Sequence, residues 1–272
     1  MSIYSAAIIG TSPAGCIAAI ALARKGLKVL LIDASEFSDD LPLERLSPSE
    51  RPRQRQRTDS SSPPATERGA WLGYRTWRSL FNQSLMAVAQ AQGVEVWKAC
   101  RVDAAILEEG QLMGLTTERA TVRAYHILDA SGQRQWLCRQ LGISTKPPSS
   151  ESLPQSSPGV MAQLKQVTWK MRDRFAGPGW FLLGDAAASF DSATSCGLLR
   201  SLTYGLLHRL QAAISGLQAA QAIADCEHGN ISEAIAAQRY SQWLQTWLIQ
   251  SSVTQRNREY TIPHSPAFPM CL

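Results

Sequence analysis

The opening 33 residues restrict the fold more than any other part of the chain. Ile3 to Ile9 (Ile-Tyr-Ser-Ala-Ala-Ile-Ile) reads as a buried strand. Gly10-Thr11-Ser12-Pro13-Ala14-Gly15 reads as a turn, and an apolar helix is predicted from about Pro13 to Lys25, stopped by Gly26. Lys28 to Ile32 is a second short apolar strand, ending in Asp33. This is a βαβ unit, which implies a parallel sheet with helices on its faces. Gly10 lets the chain turn tightly, and a helix start offers N–H groups and partial positive charge to a diphosphate. Asp33 lies eighteen residues past Gly15, where a carboxylate accepts hydrogen bonds from an adenosine ribose. Ser12 departs from the fingerprint, which has its second Gly there, and its β-carbon crowds a diphosphate. The plain alternative is a strand–turn–helix that holds no ligand.

Residues 38–68 change character, with five Pro, six Ser, six Arg and no aromatic. Such a segment buries too little apolar surface to offset chain entropy, so a mobile, disordered loop is expected there. Trp77 to Gln92 has a helical pattern, Val94 to Trp97 reads as a strand, and residues 101–127 hold several short strand-like runs. Ala124 to Leu128 is an apolar strand that again ends in an acid, Asp129. Residues 146–158 contain four Pro and five Ser and read as a linker. Trp180 to Leu183 is a strand ending at Gly184-Asp185. Leu199, Leu202, Leu206, Leu210 and Leu217 keep roughly helical spacing. Tyr240, Trp243, Leu244, Trp247 and Leu248 follow the i, i+3, i+4, i+7, i+8 pattern of a strongly amphipathic helix, read as packing on the core.

Gly184-Asp185-Ala186-Ala187-Ala188 after a short apolar strand, then Asp191 and Ser195-Cys196-Gly197-Leu198 opening a helix, form a second motif. It resembles the flavin-ribityl motif of FAD-dependent monooxygenases and flavin-dependent halogenases. The resemblance implies that Asp185 hydrogen-bonds the ribityl chain or diphosphate of FAD. It also implies that N–H groups near Cys196, Gly197 and Leu198 face the flavin N1–O2 edge, where a helix start stabilises negative charge. Arg78 to Leu85 resembles the helix that begins with an FAD-contacting Arg, with Asn82 in place of the usual Asp. Asp129-Ala130-Ser131-Gly132 resembles the family's central Asp-x-x-Gly segment, which places Asp129 near the cofactor. The tail, Asn257 to Tyr260 then Ser265 to Phe268, resembles that of the halogenase branch and of flavoproteins that modify peptides during maturation of quinone-cofactor oxidases.

The resemblance implies an α/β fold: a Rossmann-like FAD-binding domain of the glutathione-reductase and p-hydroxybenzoate-hydroxylase type. Its first part is 1–142, with 38–68 as the loop; 143–175 is linker and vestigial substrate segment; 176–272 is the second part with the C-terminal helices. The family's substrate-covering sheet needs roughly 40–60 residues. Residues 143–179 number only 37, much of that linker, so the sheet is read as missing or vestigial. The halogenases' Trp-x-Trp-x-Ile-Pro segment is absent from the sequence. The implied function is an FAD-dependent oxidoreductase in which reduced flavin reacts with oxygen, fed by NAD(P)H or a flavin reductase. No acid/base pair is named, because the flavin supplies the hard step. The alternatives are a catalytically incomplete or partner-dependent flavin-binding protein, acting on a peptide or in cofactor maturation, and a plain NAD-binding module. A protein partner or peptide substrate would then cover the flavin, docking on apolar surface near Trp169, Trp180 and Phe190 if these are not core.

Composition trims the remaining classes. With 44% hydrophobic and 18% charged residues in 272, the chain can bury a real core. The apolar runs fall short of the roughly 18 residues of a membrane helix. Four of the five net positive charges equal the Arg51, Arg53, Arg55 and Arg57 run, read as a solvated loop, so no nucleic-acid partner is expected. The six Cys form no CxxC pair and the four His are scattered, so no metal site is expected and the thiols are read as reduced and cytoplasmic.

Overall fold

A computed structural model describes residues 3–35, 44–45, 75–76, 78–146, 169–190 and 197–260. Its strands are β1 (Ile3–Ile9), β2 (Val29–Ile32), β3 (Glu44–Arg45), β4 (Arg75–Thr76), β5 (Glu95–Trp97), β6 (Val102–Glu108), β7 (Gln111–Thr117) and β8 (Thr121–Asp129). They continue as β9 (Thr145–Lys146), β10 (Trp169–Arg172), β11 (Ala176–Gly177), β12 (Trp180–Leu182) and β13 (Ala188–Phe190). The helices are α1 (Pro13–Arg24), α2 (Arg78–Ala91), α3 (Trp136–Leu141), α4 (Gly197–Glu227) and α5 (Glu233–Tyr260).

The main sheet is parallel along β12–β8–β1–β2–β5, with β11 antiparallel at one edge. A β6–β7 meander runs antiparallel into the first residues of β8. The fold is α/β and Rossmann-like, as the βαβ pattern requires. Parallel strands covered on both faces read as continuous apolar runs. Ala6, Ala7 and Ile8 of β1, all of β2, and Ile127 and Leu128 of β8 are accordingly buried. β1 is the point where connections switch direction, since β2 lies on one side of it and β8 on the other. In open α/β sheets the crevice beyond the strand C-termini at that point is where ligands bind.

The register makes five strand ends level. Ile9 pairs with both Ile32 and Asp129, Leu182 pairs with Asp129, and Ile32 pairs with Trp97. Backbone bonds just past the ends hold them so: Gly10 N donates to Ile32 O at 2.7 Å, Ala130 N to Ile9 O at 2.8 Å, and Leu183 N to Asp129 O at 2.8 Å.

α4 packs against α1 through small residues. A β-carbon on Gly216 would stand 2.4 Å from Ala14 O and 3.2 Å from Ala18 N. Of the spaced leucines, Leu210 and Leu217 lie on the outer face, 51% and 49% exposed, while Gln211, Ser215, Ala219, Ala220 and Ile223 are buried. α5 behaves as its pattern predicts. Tyr240, Leu244 and Leu248 are buried, Tyr240 meets Phe181 edge-on at 5.3 Å, and its hydroxyl donates to Leu182 O at 2.6 Å.

Within the segment read as a loop, Glu44 and Arg45 pair with Thr76 and Arg75; the rest of 38–68, including the arginine run, lies outside the described residues. β9, β10 and β13 make a small antiparallel sheet, nine residues in all among those described. Trp180 is buried in β12 and is core, so it does not belong to an exposed docking patch.

Candidate cofactor site

The turn after β1 is built around its two glycines. Gly10 has φ +101°, and a β-carbon there would lie 2.6 Å from Ala130 O. A β-carbon on Gly15 would lie 2.2 Å from Gly10 O. Both glycines thus let β1, α1 and the end of β8 close on one another. Ser12 is the N-cap of α1, with extended backbone and a hydroxyl that accepts from Gly15 N at 3.5 Å. Pro13 at the first helical position brings no N–H. Ser12 therefore satisfies, at the long end of hydrogen-bond range, one of the first-turn donors that an anion would otherwise meet. Ala14 sits beneath, its β-carbon 3.7 Å from where a side chain on Gly184 would start.

Asp33 stands at the end of β2, as the sequence predicts, and reaches across to the turn. Its Oδ2 accepts from both Thr11 N (2.8 Å) and Thr11 Oγ1. Its Oδ1 accepts from Ser35 N (2.8 Å) and Ser35 Oγ (2.6 Å). Burial pushes this carboxyl up, but the bonds from Ser35 and Thr11 outweigh it and hold it below the usual carboxylate range. Four donors occupy its four lone-pair sites. A ribose hydroxyl reaches Asp33 only by displacing one of them, and the Ser35 side chain is on the exposed side.

Asp129 ends β8 at the same level, but its side chain turns inward. It has no exposure; Oδ1 accepts from Ser131 N at 2.9 Å and Oδ2 from Leu137 N at 2.8 Å. Burial raises its pKa, against those bonds and the charge of Arg172. Its direct work is to hold Ser131 and the start of α3.

Gly184, Asp185 and Ala186 form a single 3-10 turn beyond β12, with Gly184 at φ +54°. Ser215 of α4 anchors it: Ser215 Oγ accepts from Gly184 N at 3.0 Å and donates to Ala212 O at 2.7 Å. Asp185 is half-buried at the level of the other strand ends. Gly132 lies near it, since a β-carbon on Gly132 would be 4.0 Å from Asp185 Cβ. Arg78 opens α2, and Gly197 and Leu198 open α4, although none of their side chains is described. Cys196 lies outside the described residues.

The cluster thus unites Gly10 to Gly15, Asp33, Asp129 and Gly184-Asp185 at one edge of the sheet. The residues sequence reasoning missed are Thr11 and Ser35, which saturate Asp33, and Ser215, which holds Gly184. Ser35 was legible as an Asp-x-Ser turn; Ser215 lies 31 residues from Gly184 and had no local signal. The cradle fits a dinucleotide: the glycine turn and a helix start lie level with two acidic strand ends. A cavity of about 320 Å³ lies elsewhere, along α5, lined by Arg239, Gln242, Trp243, Thr246 and Trp247. Among the described residues Cys16, Cys100, Cys138 and Cys226 are free, no cluster of metal-ligating side chains occurs, and no helix is long and apolar enough to cross a membrane.

Comparison with known proteins agrees with this geometry. The family profile described as pyridine nucleotide-disulphide oxidoreductase matches residues 4–147, just over half the chain. Protein FixC of Salmonella typhimurium is 26% identical over 226 residues, covering 72% of this chain and 51% of that protein. The probable electron transfer flavoprotein-quinone oxidoreductase YgcN of Escherichia coli is 29% identical over 190 residues, covering 62% of this chain and 44% of that protein. The chain thus spans about half the length of the curated relatives it matches. The flavin-dependent brominase Bmp2 shares the fold at a TM-score of 0.59 and 18% identity, with 90% of this chain and 84% of that one covered.

Proposed function

The chain belongs to the pyridine nucleotide-disulphide oxidoreductase family, and from that membership we propose that it is an FAD-dependent oxidoreductase of the monooxygenase/halogenase type. The observation that carries this reading is the level register of β1, β2, β8 and β12, which brings two glycine turns, Asp33 and Asp185 to one crevice, with Asp129 buried beneath them. The adenosine diphosphate end lies over Gly10, Ser12, Pro13, Ala14 and Gly15, with Asp33 at the ribose. The flavin end lies by Gly184, Asp185 and the start of α4 (Cys196, Gly197, Leu198), with Arg78 alongside. The cofactor, when bound, supplies hydride and oxygen chemistry. The chain's own residues bind, orient and exclude water. α1 and α4 point helix starts at negative charge, Asp185 accepts from hydroxyl groups, and Asp129 fixes Ala130 against Gly10.

The small β9–β10–β13 sheet favours a second component. Nine residues among those described would cover little of a flavin ring, and a bound flavin would need such cover to be kept from water. The chain therefore works with a redox partner, with NAD(P)H or a flavin reductase as electron source, and with a protein or peptide that closes the site in the cytoplasm. The likeness to the probable electron transfer flavoprotein-quinone oxidoreductase YgcN supports an electron-transfer setting.

The test is the visible spectrum and extracted cofactor of the purified chain, together with Asp185→Ala. FAD in the native protein and strong loss of occupancy in the variant are expected. Equal FAD content in the two proteins would rule out the Asp185 placement.

A further inference from the structure

Among the described residues, one side chain is buried with both of its polar atoms unmet. Gln211 has no exposed surface, and neither Oε1 nor Nε2 has a hydrogen-bond partner. Buried amides in folded proteins nearly always have partners, because leaving one unpaired costs its full desolvation. Two other buried polar side chains at the strand ends are matched. Ser215, one turn further along α4, both accepts and donates, and both oxygens of Asp129 accept.

The position of Gln211 tells what it awaits. α4 touches the Gly184 turn through Ala212 and Ser215. Fifteen residues past Ala212, its last residue, Glu227, reaches His126, which lies back along β8 from the strand end at Asp129. The helix therefore runs away from the crevice, and its N-terminal direction leads into it. Helical side chains lean toward their own N-terminus. Gln211 stands one turn nearer that end than Ser215, on the crevice side of the Ser215–Gly184 bond. The seam beside it, where Gly184 faces Ala212 and Ala14, carries no side-chain polar atom on those three residues.

We propose that Gln211 is a further cofactor-binding residue, whose carboxamide pairs with a polyol hydroxyl of the bound dinucleotide. A hydroxyl both donates and accepts, as does the carboxamide, so one contact meets both orphan atoms. The side chain is buried in the seam, and its three torsions let it swing to a ligand. This deepens the FAD reading above and rests on it.

The full chain, stripped of cofactor, is compared with Gln211→Met, which keeps length and loses both polar atoms. FAD dissociation constant and melting temperature without FAD are the two readouts. At least tenfold weaker FAD binding with an unchanged or raised FAD-free melting temperature is expected. Affinity within twofold of native overturns the assignment. So does a lower FAD-free melting temperature or failure to fold, since either makes Gln211 a structural residue satisfied by buried water. A native chain that takes up no FAD sinks the FAD reading and this proposal together; native uptake with an unaffected variant sinks only the latter.

Discussion

Thr11 donates both its backbone N–H and its hydroxyl to one oxygen, Oδ2, of Asp33. The end of β2 thereby holds the turn after β1, and the residue expected to meet a ribose also shapes the loop under the diphosphate. Thr11→Val keeps the N–H bond and loses the hydroxyl, so a loss of about 1 kcal/mol is expected in urea unfolding. Asp33→Ala loses all four bonds and should cost roughly 1–3 kcal/mol. Because the folded carboxyl titrates below its usual value, its stabilisation is present above about pH 4 and is lost as pH falls through the folded pKa. The acid limb of the stability curve should be shallower in Asp33→Ala; an unchanged limb would contradict the bonding described.

Gly10 and Gly26 both have positive φ, +101° and +79°, but differ in surroundings. A β-carbon on Gly26 meets nothing within 4 Å, whereas one on Gly10 strikes Ala130 O at 2.6 Å. Gly26→Ala should cost about 1 kcal/mol, the left-handed backbone penalty alone. Gly10→Ala should cost several-fold more or prevent folding, because backbone must move. Similar midpoints in urea for the two variants would show that β8 does not pack on the turn as described.

His126 is buried in β8 with Nε2 3.4 Å from Glu227 Oε1 and Nδ1 unpartnered. Burial lowers its pKa to about 4, outweighing the partly exposed Glu227 carboxylate. The folded state thus resists protonation that the unfolded chain accepts near pH 6.5. Stability should fall as pH drops from about 6.5 toward 4, by up to about 3 kcal/mol. His126→Phe should flatten that interval in pH-dependent melting curves. A slope equal to that of the native chain would place the acid sensitivity elsewhere.

Tyr240 carries the contact between α5 and the strand that leads into the Gly184 turn, donating to Leu182 O at 2.6 Å. Burial raises its pKa far above the ordinary phenol range, so it remains a donor at all ordinary pH values. Tyr240→Phe keeps the ring against Phe181 and strands a buried carbonyl. A loss of roughly 1–2 kcal/mol is expected, with FAD content unchanged because Leu182 stays in register with Asp129. Loss of FAD at full stability would mean that the hydroxyl acts on the site itself.

If reducible alone, the chain should release mainly hydrogen peroxide, and a covering partner should lower that yield. Peroxide formed per reductant consumed, with and without candidate partners, measures this. Tight coupling to a small-molecule product by the chain alone would show that its own residues close the site.

The sequence by itself determined the βαβ start, both glycine turns, the acids at the ends of β2, β8 and β12, and the buried face of α5. Each rests on short-range physics: positive φ, apolar period, and the polarity of a strand end. The leucine spacing marked α4 as a helix, but not its buried face: Leu210 and Leu217 lie half in solvent, and the buried seam includes Ala, Gly, Ser and Gln. Close approach of two helix backbones needs small residues, and that demand comes from the partner helix. Tertiary structure alone decided that Thr11 also binds Asp33, that Asp129 turns inward to Leu137, that Trp180 is core, and that Ser215 holds Gly184. Which way a strand-end side chain turns depends on donors brought by other segments, and that information exists only once the chain has closed on itself.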